Sequence, residues 1–199
     1  KIRELPKEMF RNMKSLKELV LASNQLTYFP VESFGIPSLQ ELDLKNNQLT
    51  SFPVETFGIP SLQKLDLASN RIRKLPRGVF PQMDNLEEIT LHDNKIRELP
   101  TDMFHNVKGL KSLFLDVNTI EKIHKDTFHS MNSLDYLLLD SQHIGPLLEN
   151  IDFSGLTNLR RLLLRTSAIT TLDNVNFTGL TNLNSLHFSE NRITTLKNV

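Results

Sequence analysis

The sequence predicts an α/β solenoid: about eight short parallel strands line the concave face of a horseshoe, with an irregular or short-helical convex side. Three observations carry this expectation. A unit of 23–25 residues repeats along nearly the whole chain. Leucines within each unit alternate at strand spacing, and an asparagine and a phenylalanine recur at set distances from them.

The repeat is plainest in "LKELVLASNQLTYFPVESFGIPS" from Leu16 and "LQELDLKNNQLTSFPVETFGIPS" from Leu39, which are nearly identical. The frame restarts at Leu62, Leu86, Leu110, Leu134, Leu159 and Leu183. Each unit follows L-x-x-L-x-L-x-x-N-x-L/I-x-x-L/F, so the chain reads as a leucine-rich repeat array. Strands are expected at 18–22, 41–45, 64–68, 88–92, 112–116, 136–140, 161–165 and 185–189, leucines inward and intervening residues on the concave face. Asn24, Asn47, Asn70, Asn94, Asn118 and Asn191 should form a ladder of buried amides that satisfies turn backbone in its own coil and the next. The ladder is expected to fail at Gln142 and Ser167.

On the return path, Phe10, Phe34, Phe57, Phe80, Phe104, Phe128, Phe153 and Phe177 should stack as an aromatic spine. Pro6, Pro30, Pro53, Pro76 and Pro100 set φ where no ladder hydrogen bond is lost. "KIRELP" and "NRITTLKNV" read as incomplete units, so residues 1–199 are expected to be a single array cut mid-repeat at both ends, without capping modules. The chain opens at Lys1 with no methionine or apolar signal segment, and reads as an excised or mature piece.

Composition narrows the function. Lys+Arg 23 balance Asp+Glu 23, which offers no broad basic field for nucleic acid or anionic membrane. No apolar run approaches the ~20 residues of a membrane span, so membrane attachment would need segments outside this chain. There is no cysteine, hence no disulfide framework and no thiolate zinc site.

Units of about 24 residues with "LPxxxF" on the return path resemble the "typical" class of leucine-rich repeats, found mainly in extracellular and receptor proteins. The irregular later stretch "LLENIDFSGLTNLRRLLLRTSAITTLDNVNFTGLTNL" is most similar to Toll-like receptor ectodomains. The resemblance implies a secreted or ectodomain recognition module, innate immune in the Toll-like case, that binds a protein or other macromolecule and can dimerise. The second reading, behind the receptor module, is a matrix or adhesion protein whose solenoid acts as a structural or dimerising scaffold. An intracellular scaffold is a third reading, against which the "LPxxxF" class argues. Toll-like receptors often use lateral or convex surfaces, so the resemblance does not choose the face.

A candidate surface comes from the residues themselves. Of 12 phenylalanines, eight belong to the spine, Phe29 and Phe52 replace a core leucine, and Phe188 replaces a strand leucine. Phe114 alone is not required by the repeat. The central outward column runs Val20, Asp43, Asp66, Thr90, Phe114, Leu138, Leu163, His187, with coils ~4.8 Å apart. Phe114, Leu138 and Leu163 therefore form an apolar strip, flanked by Tyr136 and Arg161 on one side and by Asp116, Asp140 and Arg165 on the other. Apolar anchors with a charged rim are what interface hot spots use. A crowded concave face would also shield single apolar residues, but three in succession beside a tyrosine favour a ligand-binding surface.

The same coils lose the leading proline and carry "HIGPLLENIDF", a departure that either function or drift of the array explains. Asn176-Phe177-Thr178 is the one N-x-[ST] triplet and makes Asn176 a glycosylation candidate. Asp43 and Asp66 beside Lys45 and Lys64 read as a solvated charge network of small energetic weight. Arg165 is expected to compensate the neighbouring Asp116 and Asp140. These supply too few oxygens for calcium, and His124 and His129 lack a third zinc ligand. No nucleophile–base constellation or phosphate loop is present, so no catalytic, metal or cofactor role is expected.

Overall fold

The computed structural model describes residues 1–6, 8–30, 36–52, 59–78, 80, 83–173 and 175–194. Eight parallel strands form one sheet: β1 (Glu18–Val20), β2 (Glu41–Asp43), β3 (Lys64–Asp66), β4 (Glu88–Thr90), β6 (Ser112–Phe114), β8 (Tyr136–Leu138), β9 (Arg161–Leu163) and β10 (Ser185–His187). Each pairs with the strand one unit away in the register the leucine frame demands, for example Leu113 opposite Leu137 and Phe114 opposite Leu138. The solenoid and its parallel sheet are as the repeat predicts.

The strands are three residues long, not five. Beyond each strand the backbone turns just before the ladder. Ser23, Asn46, Ser69, Asp93, Val117, Ser141, Thr166 and Glu190 all have φ between 50° and 59°, and each immediately precedes its unit's ladder residue. A left-handed residue at this point ends extended geometry and turns the chain off the sheet. Interstrand hydrogen bonds still continue past the strand, as from Leu21 N–H to Asp43 C=O and from Ser23 N–H to Lys45 C=O.

The asparagine ladder is present. Asn47 Oδ1 accepts from Leu26 N–H at 3.0 Å, while its Nδ2 donates to Leu21 C=O of the preceding coil and Leu44 C=O of its own. The expected failure at Gln142 does not occur. Gln142 Oε1 accepts from Ile120 N–H at 3.1 Å and Nε2 donates to Leu115 C=O at 2.7 Å, so the longer amide fills the same role. At Ser167 the replacement is partial: the hydroxyl donates to Leu139 C=O at 3.1 Å, and has no amide oxygen to offer. One coil before Ser167, just after Gln142, the chain enters a 3₁₀ helix, Gly145–Asn150. A Cβ on Gly145 would collide with the Ala168 carbonyl oxygen, which explains glycine at the start of that helix.

The core fills the space between the sheet and the return path. Strand leucines 42, 44, 65, 67, 113, 115, 137 and 139 are buried, as are Phe10, Phe80, Phe104, Phe128 and Phe153. Phe80 stacks on Phe104 at 6.1 Å between ring centroids, Phe128 on Phe153 at 6.3 Å and Phe153 on Phe177 at 6.0 Å. Phe29 and Phe52 are buried and Phe188 packs against the core. Phe34, Phe57 and Pro53 lie outside the described residues. The sequence reading missed a small second sheet, in which β5 (Glu98–Leu99) and β7 (Lys122–Ile123) pair in parallel on the return path.

Candidate concave binding surface

The register places the strip residues side by side. Thr90, Phe114, Leu138 and Leu163 are successive partners in the central column, and Ser112, Tyr136 and Arg161 are partners in the preceding one. Alternation then turns these side chains away from the buried Leu113, Leu137 and Leu162. Phe114 and Tyr136 are half-buried, and their ring centroids are 5.5 Å apart at a tilt of 43°. The Arg161 guanidinium lies over the Tyr136 ring, 5.7 Å from its centroid, within cation–π range. Leu138 is half-buried beside Phe114. Leu163 shares their column but is 7% exposed, so it supports the strip more than it presents itself.

Charges around the strip are paired differently from expectation. Arg165 does not serve both aspartates. Its Nε and Nη2 contact Asp140 Oδ2 at 2.7 and 2.6 Å, and its own N–H donates to Asp140 Oδ1 at 2.6 Å. Asp140 is buried under this clamp, while Arg165 remains exposed. The hydrogen bond to Asp140 raises the guanidinium's already high pKa. Asp116 instead meets His92, with Oδ2 3.1 Å from Nδ1. Its Oδ1 is buried without a hydrogen-bond partner, and burial pushes the carboxyl pKa up against the pull of His92. Separate partners thus hold two neighbouring carboxylates that would otherwise repel.

In the first coils, Lys64 pairs with Glu41 at 3.1 Å, not with the aspartates. Asp43 and Asp66 instead accept from the N–H groups two residues on, of Lys45 and Ala68. Burial, and secondarily the neighbouring Asp43, raise the Asp66 carboxyl pKa. On the opposite side, Asn176 is exposed and its Oδ1 accepts from Thr178 N–H at 3.0 Å and Thr178 Oγ1 at 2.6 Å. Phe177 between them turns inward onto Phe153, so a core phenylalanine does not bury the asparagine.

A family model described as Leucine rich repeat matches residues 1–49, 37–96, 60–116 and 84–144, and the chain belongs to that family. No curated protein matches the chain by sequence. Among solved structures, a TLR13–ssRNA13 complex is similar at 28% identity and TM-score 0.70, over 92% of this chain and 30% of that one. The Toll–Spatzle complex of Drosophila is similar at 23% identity and TM-score 0.76, over 96% of this chain and 30% of that one. An internalin from Listeria monocytogenes is similar at 21% identity and TM-score 0.71, over 92% of this chain and 50% of that one. The chain thus spans between 30% and 50% of these structures, and the latter two likenesses describe the fold. Among the described residues, no helix is long and apolar enough to cross a membrane.

Proposed function

We propose that this chain is the ligand-recognition part of an extracellular receptor, Toll-like and innate immune in type, and that it binds a protein through its concave face. The observation that carries the reading is the Arg161–Tyr136–Phe114 stack at the middle of the sheet, with Leu138 beside it. Aromatic and arginine side chains on a rigid sheet provide contact area with little ordering entropy lost on binding. Arg161 and Arg165 form the rim, and the buried Asp140 fixes the guanidinium of Arg165 in place. Asp116 and Leu163 support the surface from beneath. The similarity to TLR13 in complex with ssRNA13 and to Toll in complex with Spatzle supports a recognition role on the same architecture. Residues 1–199 act in this reading as one uninterrupted array, and exposed Asn176 carries a glycan.

The test screens the multimerised chain against an array of secreted and cell-surface proteins. A specific partner should lose at least tenfold in affinity on Phe114→Ala, Tyr136→Ala or Leu138→Ala, about 1.4 kcal/mol or more each. Circular dichroism and the unfolding midpoint should stay near wild type. A partner that ignores all three changes, or a Phe114→Ala chain as unfolded as Leu113→Ala, would overturn the proposal.

A further inference from the structure

The net charge of zero conceals a segregation that the sheet does not use. Several cations elsewhere are paired, among them Lys64 with Glu41, Lys111 with Glu87, Lys122 with Glu98 and Arg165 with Asp140. By contrast, no carboxylate among the described residues lies within ion-pair distance of Arg71, Arg73, Lys74, Arg77, Lys95 or Arg97. All six are exposed and belong to two successive coils. The hydrogen bond from Lys95 N–H to Ile72 C=O stacks these coils so that Arg71 neighbours Lys95 and Arg73 neighbours Arg97.

The coils also part there. β5 pairs with β7 on one side, but on its other side the segment 73–77 does not join the small sheet. A groove of about 660 Å³ lies along this line, with Arg73, Lys74, Arg77 and Arg97 on its walls. Glu98 is the one lining carboxylate among the described residues and is already held by Lys122 at 2.6 Å. Leu75 and Pro100 complete the lining and are themselves buried.

We infer that this lateral groove binds a sulfated polysaccharide chain. Unpaired cations held side by side repel one another unless an anion lies between them. Three of the four groove cations are arginines, whose forked N–H groups match the oxygens of a sulfate. Among the described residues no aromatic ring lines the groove, which gives single-stranded nucleic acid no stacking platform there. Its apolar residues are buried and give an acidic peptide no anchoring pocket. An extended chain bearing repeated sulfates needs neither. The groove is separate from the concave strip, so the two proposals stand or fall independently.

The experiment measures binding of the chain to immobilised heparin over a range of sodium chloride concentrations. Binding should weaken steeply with salt, as displacement of counterions requires. Arg73→Gln with Arg97→Gln should weaken it at least tenfold at 0.15 M salt and flatten the salt dependence. Arg73→Lys with Arg97→Lys keeps the charge, loses the fork, and should fall between. Lys14→Gln with Lys17→Gln removes the same charge from the first coil and should leave binding unchanged. On the wild-type chain, heparin should protect Arg73 and Arg97 from arginine-specific modification, read by mass spectrometry. Equal loss in the Lys14/Lys17 control, or no protection, would overturn the inference. So would stronger competition by single-stranded RNA or polyglutamate than by free heparin, which would assign the groove to a nucleic acid or an acidic peptide.

Discussion

Replacing Asn118 with alanine tests the device that holds successive coils together. The amide oxygen accepts from Ile96 N–H at 3.0 Å, and Nδ2 donates to Leu91 C=O at 3.0 Å and Leu115 C=O at 2.8 Å. Asn118 is 6% exposed, so water does not freely replace these bonds. The two carbonyls each keep a second donor, Asn94 Nδ2 at 3.1 Å and Gln142 Nε2 at 2.7 Å. Their lost bonds cost about 1 kcal/mol each. Ile96 N–H keeps no partner, and a buried orphaned donor costs about 1–3 kcal/mol. The sum is about 4 kcal/mol. Gln142→Ala orphans Ile120 N–H and removes one carbonyl bond, so it should cost less, about 3 kcal/mol. A solenoid's stability is roughly a sum over coils and their interfaces, so denaturant unfolding should be joined by residue-resolved amide exchange. Exchange at Ile96 should accelerate most in Asn118→Ala, and at Ile120 in Gln142→Ala. A loss below about 1 kcal/mol with Ile96 exchange unchanged would refute the reasoning.

Phe80→Ala should cost about 3–5 kcal/mol in denaturant unfolding, because its fully buried ring contacts Phe52 and Phe104 and leaves a void; a loss under about 1 kcal/mol would show the spine is not packed. Asp66→Asn should stabilise the chain at neutral pH and change it little at acid pH. The raised folded-state pKa means Asp66 contributes stability below its unfolded value of 3.8 and loses it as pH rises through the higher folded value. Unfolding midpoints at pH 3 and pH 7 check the sign, and a stabilisation confined to pH 3 would contradict it. Val117→Asn should raise stability by about 1 kcal/mol, since Val117 is β-branched, 44% exposed and held at φ 52°. A lower thermal midpoint would mean that the isopropyl group has a packing role outweighing its strain.

How far the sequence reaches differs between fold and surface. Leu113, Leu115, Asn118 and Phe128 occupy their roles because a period of about 24 residues brings each over its counterpart one coil away. Stacking identical units leaves one way to bury two leucines per strand, and a slip by one residue would turn them all outward. The solenoid, the strand register and the columns holding Phe114, Tyr136, Leu138 and Arg161 were therefore legible from spacing alone. So was the juxtaposition of Arg73 and Arg97, which a balanced total charge obscured. Even the left-handed residue before each ladder position has a place in the period, though Val117 and Thr166 give no compositional sign of it.

Only the tertiary structure decided which neighbours bond. Asp116 could have met Arg165 or His92, and Gln142 could have broken the ladder or continued it. Both choices turn on side-chain reach at about 3 Å, finer than the ~4.8 Å between coils that the repeat specifies. Burial followed the same rule. Leu138 and Leu163 share a column, yet Leu163 is closed off and Leu138 is not, because exposure depends on how the surrounding side chains settle. Periodicity determined where each residue stands in the array. Packing at the scale of single side chains determined which of them remain free to meet a partner.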